Sequence, residues 1–285
     1  MNTGNQARLG HIDFINCLPL AHGLKAGGFG QDLDIVAGAP SWLNRLAIDG
    51  KVDITPVSSI IYAINKNRFL ILPDVSISAK GILQSIILVA KRPIYELEGA
   101  KVALTYKSAT SHILLKIIMN KAYNLTPDYF ISQAAGVDEA LQDADAALFI
   151  GDDALYAYHR KRRSYYYYDL GGEWKKLTGQ AMVYALWVVD RRFAGSFPEL
   201  VTMIHRRVTQ GFSYGLSHLP EAAAAINGKV PFTAEQILHY LDLLNYGLSS
   251  EHQTALLTYY SMAQELGYIA DVPALRFARV GGERE

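Results

Sequence analysis

The chain has 285 residues, half of them hydrophobic, 19% charged and 11% aromatic. This is a globular composition, long enough for two units of core, and it excludes disorder along the whole chain. Lys plus Arg and Asp plus Glu each number 27, so the formal net charge is zero, which argues against a protein that grips nucleic acid by neutralising many phosphates.

Cys17 is the only cysteine, so neither an intramolecular disulfide nor a cysteine-based metal cluster can form. Met1 to Arg8 has no basic segment leading into an apolar one, as a secretory leader would. The longest uncharged apolar run, near Ala181 to Val189, is about half the roughly 20 residues of a membrane span. A soluble, cytoplasmic protein is expected, without membrane or nucleic-acid partners.

Along the first two-thirds, short β-rich runs alternate with helical patterns. Strands are expected at Leu9–Ile15, Leu33–Ala37, Val52–Val57, Leu70–Leu72, Gln84–Ala90, Lys101–Thr105, Ala146–Ile150 and Met182–Val189. Helices are expected to open at Pro19 and Ile60 and to cover Trp42–Ile48, Ile113–Ala122 and Ala154–His159, with Gly50 ending the second of these. Tyr165–Tyr168 reads as an edge or interface strand. After Pro198 the pattern becomes helical: Leu200–Leu216, Leu219–Ile226, Ala234–Leu243 and Ser250–Leu266. Thr233 with Gln236 three residues on makes a capping box for the third. The whole reads as an α/β protein with a helical C-terminal region, ending in a frayed tail at Gly281–Glu285.

Small polar residues gather where strands hand over to helices: Asn16, Ser58-Ser59, Lys107-Ser108-Ala109-Thr110-Ser111, and Gly151-Asp152-Asp153. In open α/β sheets ligands bind at the carboxyl ends of strands, where helix N-termini present free N–H groups. Each junction alone is explained by capping. The Ser108–Ser111 segment has more hydroxyls than one cap needs, so a cap and an anion site both fit it. Other patterns carry less. The eight histidines lack the HxH or HExxH spacing of a zinc site, so no metal is expected. Gly27-Gly28-Phe29-Gly30 is not a dinucleotide fingerprint, and there is no GxSxG elbow or Walker A loop. Arg160–Arg163 reads as a solvated surface and Cys17 as a packed small residue.

Several segments, in order along nearly the whole chain, together resemble one family. His11–Leu20 resembles "(I/V)-x-(F/Y)-(I/L)-N-x-x-P-L" and Gly50–Ser59 resembles "G-x-(L/V)-D-x-x-x-(V/I)-S-S". Gln84-Ser85-Ile86 matches a serine-bearing hinge strand, Thr105–Ser111 resembles "T-x-x-S-x-T-S", and Leu148–Leu155 resembles "L-I-G-D-x-A-L". Asp169–Trp174 with Thr178-Gly179 resembles "D-L-G-x-x-W…T-G", and Tyr240–Leu248 resembles a helix of pattern "Y-L-x-x-L-x-Y-x-L". These are motifs of the chorismate dehydratase family of the futalosine route to menaquinone. The chain departs from the family at Gln180-Ala181-Met182, where Leu-Pro-aromatic is usual.

The resemblance implies a two-lobed, periplasmic-binding-protein-like fold of type II, with one lobe from 1–90 plus 182–285, the other from 91–181, and the ligand between them. It implies a lyase that removes water from chorismate, a dicarboxylate, giving 3-[(1-carboxyvinyl)oxy]benzoate. Aromatisation drives that reaction, so orientation and modest acid–base help suffice and no metal or nucleotide cofactor is expected. Ser108, Thr110, Ser111 and Gly151 are expected at one carboxylate and its helix N-termini. Ser58, Ser59 and Ser85 are expected at the other carboxylate or the ether oxygen, and Asn16 at the leaving hydroxyl or enolpyruvyl group. The base is either the substrate's enolpyruvyl carboxylate or Asp152, whose helix N-terminal position favours the ionised form. Dihydroxynaphthoate synthase of the same route shares the fold but uses a second-lobe histidine, and here that lobe has only His112 and His159, neither in a matching motif. A non-catalytic carboxylate-binding protein is the remaining alternative. The sequence leaves room for a homodimer.

Overall fold

The computed structural model describes residues 7–281; of the C-terminal tail, residues 282–285 lie outside the described residues. Ten strands form two five-stranded sheets. The first has the order β2-β1-β3-β10-β4, built from β1 (Arg8–Ile12), β2 (Asp34–Gly38), β3 (Ile54–Ser58), β4 (Phe69–Ala79) and β10 (Met182–Asp190). The second has the order β7-β6-β8-β5-β9, built from β5 (Ile86–Ala90), β6 (Lys101–Thr105), β7 (Asp128–Ser132), β8 (Ala146–Ile150) and β9 (Tyr166–Asp169). Helices α1 (Leu18–Lys25), α2 (Pro40–Ile48) and α3 (Ser59–Ile64) follow strands of the first sheet. Helices α4 (Thr110–Tyr123), α5 (Val137–Ala140), α6 (Gly151–His159) and α7 (Leu170–Thr178) follow strands of the second. The C-terminal part holds α8 (Arg191–Ser196), α9 (Pro198–Ser217), α10 (Leu219–Ile226), α11 (Ala234–Asp242) and α12 (Ser250–Glu265). Among the described residues no helix is long and apolar enough to cross a membrane.

The two sheets share one plan. In each, three strands run parallel (β2, β1, β3 and β7, β6, β8), and the strand first reached after crossing from the other sheet (β10, β5) runs antiparallel beside them. The first crossing lies between Ala79 and Ile86. Residues 86–90, expected in lobe one, therefore belong to the second sheet, because β5 pairs with β8 and β9. The strands β3, β5 and β8 are buried at every position; β5 and β8 have the continuous apolar sequences this requires, while β3 buries Thr55 and Ser58 as well.

Other differences have local causes. The strand expected over Leu9–Ile15 stops at Ile12, where Asp13 bonds to the Gly38 carbonyl and a 3-10 turn takes over at Ile15–Cys17. The short strand at Leu70–Leu72 is the start of eleven-residue β4, which tolerates Pro73 because it is an edge strand. Helix α4 starts at Thr110, not Ile113, and α6 at Gly151, not Ala154, so the small polar residues form the first turns of these helices rather than leading into them. The Tyr240–Leu248 segment is helical only to Asp242; beyond it, Ser76 and Ser78 of β4 donate backbone N–H groups to the Tyr246 and Asn245 carbonyls. The tyrosine run does form edge strand β9, and the capping box of α11 is present.

Asp169, the N-cap of α7, clamps the first crossing. Its carboxylate accepts N–H bonds from Leu83 (3.1 Å), Gln84 (2.6 Å) and Gly172 (3.0 Å). Gly171 allows the contact: a Cβ there would come 2.2 Å from the Gly81 carbonyl oxygen.

Candidate active site

Because β1, β3, β6 and β8 point their carboxyl ends at the gap between sheets, and β5 and β10 run the other way, the amino ends of the latter two open on the same gap. A cavity lies there, at the strand ends where open α/β folds bind their ligands. Ile12, Phe14, Asn16 and Ser58 line it from one side. Ser85, Ser108, Thr110, Ser111, Ile150 and Gly151 line it from the other, and Tyr184, Ala185 and Leu244 complete the wall. The structure thus brings seven of the sequence-derived candidates to one cavity, and leaves Ser59 and Asp152 outside its lining.

The hydroxyls of this wall differ in what they have left to give. A serine oxygen can accept two hydrogen bonds and donate one. Ser58 Oγ accepts from Asn44 Nδ2 (3.0 Å), and Ser85 Oγ accepts from the Tyr240 hydroxyl (2.8 Å). Ser111 Oγ accepts from Ser108 Oγ (3.1 Å), which in turn caps the Ser111 N–H (3.3 Å). The protons of Ser58, Ser85 and Ser111 have no acceptor among the described residues. They form a set of neutral donors around the cavity, with the first turn of α4 beside them. Asn16 Oδ1 and the Tyr184 hydroxyl are buried there without a partner. No Lys or Arg lines the cavity; Lys107 is paired with Asp153 at 2.5 Å.

Ser59 is different. It is fully buried, donates to the Val183 carbonyl (2.9 Å), lies 3.3 Å from Thr110 Oγ1, and its own carbonyl accepts from the Tyr260 hydroxyl (2.6 Å). Expected on the ligand, this hydroxyl is instead spent on β10 of its own sheet and lies against α4.

The C-terminal region supplies a support that the sequence reading missed. Three tyrosine hydroxyls donate to residues of the wall, Tyr240 to Ser85 Oγ (2.8 Å), Tyr246 to the Asn16 carbonyl (2.9 Å) and Tyr259 to the Thr110 carbonyl (3.1 Å), and a fourth, Tyr260, donates to the carbonyl of Ser59 just outside it (2.6 Å). Burial pushes all four phenols up, so they stay neutral donors. The sequence reading gave these tyrosines no role: Tyr240 and Tyr246 entered it only within a motif of the resemblance, and Tyr259 and Tyr260 only within an expected helix. Phe14, Tyr184 and Asn44 were missed for the same reason: an aromatic in a strand or an Asn in a helix carries no mark of what it faces. The departure at Gln180-Ala181-Met182 lies off the cavity; Trp174 Nε1 donates to the Ala181 carbonyl (3.0 Å), and the wall begins two residues later at Tyr184.

Asp152 stands in the first turn of α6. Burial, the largest cause, pushes its carboxyl up to about 6, with Asp153 and Asp13 adding to the rise while the Ile15 N–H and Lys107 oppose it. Desolvation thus outweighs the partial charge of the helix N-terminus and weakens the expected preference for the ionised form, which still holds at neutral pH. Gly151, just before it, has φ +58, and a Cβ there would come 2.7 Å from the Phe14 ring.

Two sheets facing each other across a polar-lipped cleft define a periplasmic-binding-protein-like α/β protein. Solved structures agree. A protein of Archaeoglobus fulgidus superposes with a TM-score of 0.74 at 20% identity, covering 94% of this chain and all of its own. The periplasmic aliphatic sulphonate binding protein of Escherichia coli does so with a TM-score of 0.67 at 15% identity, covering 99% and 96%. The chain belongs to the menaquinone biosynthesis family, whose model matches residues 7–265. The chorismate dehydratase of Thermus thermophilus is 30% identical over 262 residues, 87% of this chain and 92% of that protein. The 1,4-dihydroxy-6-naphtoate synthase of the same organism is 23% identical over 247 residues, 81% and 83%. The chain is thus a chorismate dehydratase homologue in a family of menaquinone biosynthesis.

Proposed function

We propose that the cleft dehydrates chorismate to 3-[(1-carboxyvinyl)oxy]benzoate, in the cytoplasm and without a cofactor. The observation that carries this reading is the set of unspent donors. A dicarboxylate needs several donors on opposite sides of one cavity, and Ser58 and Ser85, with Ser111 and the first turn of α4, supply them. Ser108 and Ser111 would hold the ring carboxylate. Removing the ring hydrogen γ to that carboxylate moves charge onto it, and fixed donors aimed at its oxygens would stabilise the charge as it grows. Ser58 and Ser85 would hold the enolpyruvyl side.

The electrons of the broken C–H bond form the new ring double bond, and the allylic C–O bond breaks to release hydroxide. The base that takes the hydrogen as a proton passes it to that oxygen, and water leaves. The substrate's own enolpyruvyl carboxylate suits this task. Asp152 Oδ1 is engaged with the Ile15 N–H and its side chain does not line the cavity, whereas a base must reach the proton it removes. Asn16, with Oδ1 buried and unpartnered, would accept from the leaving hydroxyl before it departs.

No histidine lines the cavity, and His112 Nε2 is held at 2.6 Å from the Thr105 carbonyl, which disfavours the sister synthase's chemistry. The test is to mix purified protein with chorismate and follow mass and ultraviolet absorbance. An aromatic product one water lighter, with the enolpyruvyl group retained, is expected. Intact chorismate would overturn the reading, and calorimetric binding without turnover would make the chain a carboxylate-binding protein.

A further inference from the structure

The turn that carries Asn16 is short and held from two directions. It is a single 3-10 turn, Ile15–Cys17, closed by the Cys17 N–H on the Phe14 carbonyl at 2.9 Å. On its own side of the cleft, the Tyr246 hydroxyl donates to the Asn16 carbonyl. Across the cleft, Asp152 Oδ1 accepts the Ile15 N–H at 3.1 Å, a bond between residues 137 apart in sequence. The neighbouring contact has the same register. The Phe14 ring rests where a side chain at Gly151 would be, and the Gly151 N–H is held by the Ser85 carbonyl at 2.8 Å. Phe14, Ile15 and Asn16 are thus indexed against residues 151–152 of the opposite lobe.

The carboxylate is an expensive choice of acceptor. Asp13, Asp153, Lys107 and Tyr240 are the charged and titratable groups around it, and only Lys107, already paired with Asp153, favours its charge. A half-buried carboxylate kept in such a place should do something that an apolar residue cannot. The N–H at the head of a short turn has no partner within the turn, and a carboxylate is the strongest acceptor a side chain offers.

We propose that Asp152 is a positioning residue: carried by the second lobe, it takes the Ile15 N–H when the lobes close, and so makes the seating of Asn16 conditional on closure. Its kinetic consequence rests on the dehydratase reading; its structural consequence does not. When the cleft is open the turn loses one of its two anchors and the Asn16 amide is not aligned. When substrate draws the lobes together, the same movement excludes water and sets the amide.

The test uses the full chain with Asp152→Ala and Asp152→Asn. The asparagine keeps an oxygen acceptor but cannot act as a base. With saturating chorismate or its product present, amide hydrogen exchange at Ile15 should be slower than in the free protein for the wild type and Asp152→Asn, and faster than in either by about tenfold or more in Asp152→Ala. With chorismate, Asp152→Ala should lower kcat by about 10²-fold with little change in KM, the scale of a small misplacement of a reacting group. Asp152→Asn should recover most of that loss. In an Asn16→Ala background, Asp152→Ala should cost little more, since both act on one alignment. Two outcomes would overturn the proposal: both Asp152 variants equally slow while Ile15 stays protected, or Asp152→Ala matching the wild type in exchange and turnover. If the wild type leaves chorismate intact, the dehydratase reading fails, and exchange at Ile15 still decides whether Asp152 holds the turn.

Discussion

The junctions β3–α3 and β6–α4 have the same local character, a buried strand running into hydroxyl residues and then a helix, yet they end differently. At β3–α3, Ser58 is held by Asn44 through both its N–H and its Oγ, and Ser59 is locked between Val183, Thr110 and Tyr260. At β6–α4, Ser108 and Ser111 bond mainly to each other, and both face the cavity. The fourteen-residue α4 also brings a full helix N-terminus to the cleft, where the six-residue α3 brings a weak one. Both junctions are braced from behind by α12, Ser59 through Tyr260 and Thr110 through Tyr259, and each keeps one proton for the cavity, on Ser58 and on Ser111. Within each junction one hydroxyl residue therefore serves the wall and another the cavity, and the partners each one meets decide which.

This contrast can be tested by substitutions whose expected effects differ in size and in kind. The largest should come from Gly151→Ala, at the other junction of the second lobe. A left-handed φ costs a non-glycine residue about 1–2 kcal/mol, and forcing a methyl group against the Phe14 ring adds about 1–3 kcal/mol. Turnover of chorismate should fall by more than about 10²-fold as closure fails, measured by steady-state kinetics beside a thermal melt. Retained turnover would show that Phe14 and Gly151 need not meet.

Asp152→Asn should make the protein more stable at neutral pH while slowing it. Asp152 binds its proton more tightly folded (about 6) than its ordinary 3.8. Its contribution is therefore most favourable below about pH 4 and is lost as pH rises through about 6. Above that the ionised group carries its full burial cost, at most about 3 kcal/mol for a shift of this size. The melting-temperature advantage of Asp152→Asn should grow between about pH 4 and pH 7 and then level off. A flat difference across that range would mean the carboxyl titrates normally.

Ser111→Ala should lower kcat/KM by about 10²-fold, the usual loss for one preorganised donor, and leave the melting temperature nearly unchanged. Ser59→Ala should do the reverse. It strips buried groups of a partner at about 1–3 kcal/mol, a drop of about 2–4 °C for each kcal/mol, with turnover of the folded enzyme nearly intact. If both variants lost turnover equally, the distinction between wall and donor would fail. Tyr184→Phe should be the mildest change. Its hydroxyl is unpartnered in the free protein, so removing it should not destabilise, and any rise in KM for chorismate would place that hydroxyl on the substrate.

Much of this site was legible before any coordinates. The small polar residues Asn16, Ser58, Ser108, Thr110, Ser111 and Gly151 stand out at strand-to-helix junctions, Ser85 stands out only through the family resemblance, and all of them line one cavity. Much of the order of strands and helices was also readable, since apolar runs and 3.6-residue periodicity are local, but strand β7 and helices α5, α7 and α8 were not expected. What failed was whatever depended on distant partners. Residues 86–90 went to the wrong sheet because a β-branched run says nothing of which strand it will pair with. The four tyrosines behind the site drew no notice, because nothing local in a sequence tells a tyrosine that is only buried from one whose hydroxyl meets a distant partner.

The sequence by itself determined the composition of the junctions, the elements around them and the family resemblance, because backbone propensity and apolar period act over a few residues. Only the tertiary structure decided which hydroxyls were spent and which remained free, since that depends on Asn44, Tyr240 and Tyr260 arriving from elsewhere in the chain. It alone placed Asp152 against Ile15, and it set burial above the helix N-terminus in fixing the proton affinity of Asp152. The physical reason is the same in each case: a polar group's chemistry is set by the partners and solvent it meets in space, and those are brought together only when the two lobes fold and close on each other.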